Sequence, residues 1–217
     1  MMASEPHAHD HDHLDHAPIT AEGRPGYYEV METAVRELLT DKGYLTANDI
    51  RHQIEVLDSR TPALGAAVVA RAWTDPAFKA RLLADGRKGC EELGISFYDD
   101  TQLIVLENTT EVHNLIVCTL CSCYPRPVLG LPPDWYKLKP YRARAVIEPR
   151  KVLAEFGTII PAEVEIRVSD STAVVRYLVL PRRPDGTDGW SEDQLAALVT
   201  RDAMIGVIPV TLDKEAA

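Results

Sequence analysis

No apolar run in this 217-residue sequence approaches the ~20 residues that a membrane-crossing helix needs. The first thirty residues also lack the apolar core of a signal peptide. Basic residues are in deficit: 23 Lys plus Arg stand against 33 Asp plus Glu, a net charge of −10. No basic patch offsets that balance, which argues against a general affinity for nucleic acid or for an anionic membrane surface. Cysteine is sparse, four residues in all, and three of them are clustered beside a lone Cys90. That distribution suits a reducing, cytoplasmic compartment better than a secreted disulfide framework. What the chain does have is apolar content, 46% of its residues, enough at this length to bury a real core.

The three clustered cysteines, Cys118, Cys121 and Cys123, lie in Val117–Tyr124, read Val-Cys-Thr-Leu-Cys-Ser-Cys-Tyr. Side chains alternate faces along a strand and fan out around a helix, so three thiols this close in sequence converge only if the backbone curls around one point. With both sulfurs of Cys-Ser-Cys on one centre, the backbone N–H groups of Ser122 and Cys123 are pushed toward it too. Soft thiolates select iron, cobalt, copper(I) or zinc over magnesium or calcium. A structural zinc site wants a second ligand pair, which is missing here. A Cys118–Cys121 redox pair leaves Cys123 without a use, and three bystander thiols would be an odd coincidence. The pattern favours a metal claw.

The rest of the chain divides into a histidine-rich tail (1–26), a helical segment (27–94) and a metal-binding α+β domain (95–217). The tail carries His7, His9, His11, His13 and His16 between aspartates. It is too polar to offset its ordering entropy by burial, and reads either as a loose metal-collecting arm or as a solvated leader. Helical periodicity runs from Tyr27 to a stop at Lys42-Gly43. A capping box at Thr46-Ala47-Asn48-Asp49 starts a second helix, Pro62 a third, and Asp75-Pro76 a fourth reaching Leu93. His52 and Cys90 are read as bystanders. Leu103–Leu106 and Leu115–Val117 read as strands, the second delivering Cys118 to its end. Pro125, Pro127, Pro132 and Pro133 predict a stiff, non-helical collar. A basic helix is expected within Tyr141–Phe156, an antiparallel pair from Glu163–Val168 and Val174–Leu180, and a last helix from Glu192 to about Arg201, capped by Ser191.

Beyond the claw, Tyr124-Pro125 and Pro127-Val128-Leu129-Gly130-Leu131-Pro132-Pro133 follow, then Glu148-Pro149-Arg150-Lys151-Val152-Leu153, Leu180-Pro181-Arg182-Arg183-Pro184, Gly186-Thr187-Asp188-Gly189-Trp190 and Met204-Ile205-Gly206-Val207. From about Tyr28 to Ile208 the sequence resembles the metal-binding subunit of nitrile hydratase, a family that includes thiocyanate hydrolase. The resemblance implies an α+β fold, an N-terminal helical arm followed by a layered α/β/β/α catalytic domain with a metal-claw loop. It implies one low-spin cobalt(III) per chain, held by Cys118, Cys121, Cys123 and the backbone amides of Ser122 and Cys123. Thr119 matches the cobalt branch rather than the iron branch. The metal would act as a Lewis acid in adding water to a nitrile, with Cys121 and Cys123 as sulfinate and sulfenate and Cys123, Cys121 and Ser122 as the catalytic positions. It also implies a β-type partner subunit, in one piece or split in two, and a maturation protein for metal insertion.

One departure concerns the substrate pocket, expected to include Tyr124 and Arg126. Many nitrile hydratases have Trp at position 126, and Arg126 suits an anion or a polar ring substituent. That residue and the histidine-rich leader also resemble the thiocyanate hydrolase gamma subunit, whereas Leu131-Pro132-Pro133 follows nitrile hydratase. A cobalt carrier for a related enzyme is the alternative from another functional class.

Overall fold

The computed structural model describes residues 25–98, 100–121 and 123–212; the histidines of the tail and Ser122 lie outside the described residues. The chain divides into two compact units, Met1–Ile50 and Arg51–Ala217. In the first, α1 (Tyr27–Asp41) buries none of its residues, and Val30, Met31, Val35 and Leu38 are all exposed along it. Gly43, at φ +71°, ends it with a left-handed turn that a side chain would disfavour. The expected capping box then starts α2 (Ala47–Asp58). The Thr46 N–H donates to Asp49 Oδ2 at 2.8 Å and the Asp49 N–H to Thr46 Oγ1 at 3.1 Å.

The second unit holds the core. α3 (Pro62–Thr74) starts on Pro62, whose missing N–H costs nothing at a helix's first position, and buries Val68, Val69 and Ala70 completely. The fourth predicted helix is two, α4 (Pro76–Ala84) and α5 (Gly86–Glu92). Asp85 breaks it: its backbone is extended and its carboxylate caps α5, accepting from the Lys88 N–H at 3.0 Å. Cys90 is fully buried in α5, and burial pushes its thiol up to about 12, while His52 is exposed on α2; neither approaches the clustered thiols.

The strands are β1 (Gln102–Glu107) and β2 (Val112–Val117), then β3 (Glu165–Asp170) and β4 (Val175–Leu180) after the intervening helices α6 (Arg126–Leu129), α7 (Asp134–Lys137), α8 (Lys139–Ile147) and α9 (Pro149–Glu155); α10 (Glu192–Ala196) and α11 (Arg201–Ile205) follow. The expected antiparallel pair does not form. β1 pairs with β4 and β2 with β3, both parallel, in two two-stranded sheets. Four helices separate β2 from β3, so the chain re-enters in the same direction, as parallel pairing requires. The Ser171–Val174 link then carries it into the other sheet. Alternation in the sequence reports one buried face and is silent about the partner strand. Helices flank both sheets, α4 and α5 against β1, α11 against β4, α8 against β2 and α9 against β3, while β2 and β4 bring the sheets together. The resulting order is helix, sheet, sheet, helix, as expected of the fold.

Three further predicted boundaries move for local reasons. The Tyr141–Phe156 helix is interrupted at Glu148, because Pro149 lacks the N–H that would continue α8 and starts α9 instead. The last predicted helix stops at Ala196, and Thr200 caps a new one, its hydroxyl accepting from the Ala203 N–H at 3.2 Å. The proline collar is not free of helix: α6 and α7 are single turns, Pro127 falling in the first turn of α6 and Pro133 at the cap of α7, where proline is tolerated.

Candidate metal centre

β2 is buried almost end to end, and Leu115, Ile116 and Val117 are fully inaccessible. Each such side chain contributes roughly 1.5–3 kcal/mol by leaving water, which makes this strand a rigid mount. Its last residue is followed by Cys118, fully buried; Cys121 is exposed and Cys123 lies between. The three sulfurs converge. Cys118 Sγ stands 3.5 Å from Cys121 Sγ, which stands 3.2 Å from Cys123 Sγ, and all three lie within 4.8 Å of one another. These separations exceed the ~2.05 Å of a disulfide, and none of the four cysteines is in a disulfide. The Cys121 N–H points back at Cys118 Sγ, 3.3 Å away, closing the loop as the spacing requires. Among the described residues no fourth side-chain donor joins the group. Burial and the hydrogen bond from Cys121 push the Cys123 thiol up to about 12, with Arg176 pulling the other way.

The loop is held from three sides by residues that its own sequence does not announce. Asp170 accepts from the Thr119 N–H at 2.9 Å and the Thr119 hydroxyl at 2.5 Å. Arg142 grips the outer side, Nε donating to the Cys118 carbonyl at 3.0 Å and Nη2 to the Thr119 carbonyl at 2.7 Å. Tyr136, fully buried, donates its hydroxyl to the Cys123 carbonyl at 2.9 Å. Burial, its first cause, holds the Tyr136 hydroxyl well above the ordinary phenol range, so it stays a donor. The one signal that finds Asp170 is register: Val117 pairs with Asp170 at the end of the β2–β3 ladder, so the residue after β2 must meet the end of β3. Arg142 and Tyr136 come from α8 and α7, and no local pattern marks them.

A cavity of about 370 Å³ opens beside the exposed edge of the claw, with Cys121, Cys123, Tyr124 and Arg126 in its wall. Tyr124 and Arg126 differ in kind there. Tyr124 is 3% exposed, packs edge-on against Tyr136 with ring centroids 5.1 Å apart, and has no hydrogen-bond partner for its hydroxyl among the described residues. Arg126 is exposed at the start of α6. Arg60 and Arg176, which the sequence did not single out, share the same wall.

Against known proteins, the family described as nitrile hydratase, alpha chain, matches residues 26–208. The chain is 55% identical over 183 residues to the low-molecular weight cobalt-containing nitrile hydratase subunit alpha of Rhodococcus rhodochrous, covering 83% of this chain and 88% of that one. It is 54% identical over 178 residues to the cobalt-containing nitrile hydratase subunit alpha of Pseudonocardia thermophila, covering 81% and 87%. Among solved structures it resembles a recombinant thiocyanate hydrolase comprising partially modified cobalt centres, with a TM-score of 0.79 and 44% identity over 87% of this chain and 92% of that one.

Proposed function

The chain belongs to the nitrile hydratase alpha-chain family, and from that premise we propose that it is the metal-binding subunit of a cobalt-dependent nitrile hydratase, converting a nitrile and water to the amide. The observation that carries this reading is the convergence of the Cys118, Cys121 and Cys123 sulfurs within 4.8 Å on a tight loop. Three soft donors, with no fourth side-chain donor among the described residues, fit a metal completed by backbone nitrogens, those of Ser122 and Cys123, better than a closed zinc site. When bound, trivalent cobalt supplies Lewis acidity toward a nitrile or a water molecule.

The chain's own residues do the positioning. Asp170 and Arg142 hold the Cys118–Thr119 half of the loop, and Tyr136 holds the far end through the Cys123 carbonyl. Tyr124 and Arg126 form the side of the substrate cavity that this chain provides. Cys121 and Cys123 carry the sulfur oxygenation, as sulfinate and sulfenate, and the more exposed sulfurs are the ones modified. A β-type subunit completes the cleft, a maturation protein delivers the metal, and the thiol-bearing chain works in the cytoplasm. Among the described residues no helix is long and apolar enough to cross a membrane.

The test is co-expression with a β-type subunit in cobalt-supplemented medium. The expected result is one cobalt per chain, added oxygens on the Cys118–Cys123 peptide by mass spectrometry, and amide formed from a small aliphatic nitrile. Plain thiols with bound zinc and no hydration would overturn it.

A further inference from the structure

The cavity beside Cys121 and Cys123 has an uneven charge. Three guanidinium groups, Arg60, Arg126 and Arg176, stand in its wall, and among the described residues no carboxylate lines it. Asp100, near in sequence to Tyr98 of the same wall, lines a different cavity. The three cations are not equivalent. Arg176 is committed to the backbone, donating to the Thr172 and Val175 carbonyls. The Arg60 guanidinium carbon stands 4.6 Å from the centroid of the Tyr98 ring, a cation–π contact. The Arg126 guanidinium has no hydrogen-bond or ion-pair partner among the described residues. In a chain of net charge −10, three arginines gathered at a thiol-lined opening with no lining carboxylate among the described residues make a local reversal of sign that focuses anions.

Resting on the nitrile hydratase reading above, we infer that the preferred substrates are nitriles carrying a carboxylate, with the anionic end held by Arg126 and Arg60 and the cyano end toward Cys121 and Cys123. Guanidinium forks match a carboxylate in two-point geometry. At about 370 Å³ the cavity falls within the range of small-molecule sites and is far larger than a triatomic anion fills, which favours a carbon chain between the two ends over thiocyanate. The apolar wall formed by Phe97 and Leu103 is available to that chain.

The experiment uses the cobalt-loaded complex with its β-type subunit and three probes: 3-cyanopropanoate, its neutral primary amide and thiocyanate. Hydrogen bonds to an ionised group are the stronger kind, so the carboxylate should exceed the amide by about tenfold or more in kcat/KM. The difference should lie mainly in KM and shrink as salt is raised. Arg126→Gln and Arg60→Gln should each reduce the ratio. A neutral preference in the unmodified complex, a carboxylate preference untouched by either variant, or turnover of thiocyanate with rejection of the carboxylate would each overturn the inference. Should no nitrile be hydrated, the nitrile hydratase reading fails. Calorimetric binding of the carboxylate against the amide then decides the inference separately, tighter carboxylate binding supporting it and equal binding overturning it.

Discussion

Thr119 and Asp170 are joined twice, the Thr119 N–H and hydroxyl both donating to the one carboxylate across the open end of the β2–β3 ladder. A residue between two proposed metal ligands is thereby fixed by a strand 51 positions later in sequence. Asp170→Ala removes both bonds, and Thr119→Val only the one from the hydroxyl. The expected order of cobalt retention after dialysis against a chelator is unmodified chain, then Thr119→Val, then Asp170→Ala. Since each bond to an ionised group contributes about 1.5 kcal/mol or more, Asp170→Ala should lose metal at least ~tenfold faster. Equal retention across the three would remove Asp170 from the positioning of the loop.

Arg142 supports the other side of that loop through two carbonyls. Lysine keeps the charge but cannot present two N–H groups in a fixed fork. Arg142→Lys should therefore slow cobalt incorporation several-fold while moving the melting temperature of the metal-free chain by only a few degrees, a shift of ~1 kcal/mol in a domain of this size. Incorporation at the unmodified rate would show that charge alone suffices.

Gly130 closes α6 at φ +68°, and a Cβ there would run into the Arg60 backbone carbonyl. Gly130→Ala combines a penalty of ~1–3 kcal/mol for a positive-φ conformation that essentially only glycine adopts with a backbone clash. The expected loss is about 2–4 kcal/mol by chemical denaturation, accompanied by a reduced carboxylate preference as Arg60 is displaced. A stability change below ~0.5 kcal/mol would mean the segment relaxes freely.

His113 gives the pH dependence. It is buried, Nε2 lies 2.7 Å from the Gly206 carbonyl and so carries the proton, and Nδ1 faces Asn108 at 3.5 Å. Burial lowers its pKa below the ordinary 6.5, the Gly206 bond opposing. The unfolded chain thus binds the proton more readily than the native one. This contribution leaves stability unaffected above the unfolded value and destabilises progressively as pH falls below about 6.5. Between pH 7.5 and 5.5, His113→Gln should lose less stability than the unmodified chain, read by urea unfolding; parallel curves would contradict the assignment.

Much of the centre was legible because its information is local. Cys118, Cys121 and Cys123 sit within six residues, the run Leu115–Val117 just before them is apolar, and glycines and capping residues mark helix ends such as Gly43 and Thr46–Asp49. What was not legible is carried by pairing and approach over long sequence distances. The parallel partnership of Val117 with Asp170, the reach of Arg142 from α8 and the arrival of Arg60 and Arg176 at one cavity depend on tertiary packing, and Glu163–Leu180 alternates in the same way whichever strand it joins. The breaks at Asp85 and Glu148 have local marks, an aspartate that caps α5 and a proline that opens α9.

The three sulfurs differ in depth: Cys118 is wholly inaccessible, Cys123 intermediate and Cys121 exposed. A reagent diffusing in from solvent therefore meets them in a fixed order, Cys121 first and Cys118 last. The fold itself ranks their vulnerability, so under the proposed function an oxidant needs no discrimination of its own to reach the outer two sulfurs and spare the innermost.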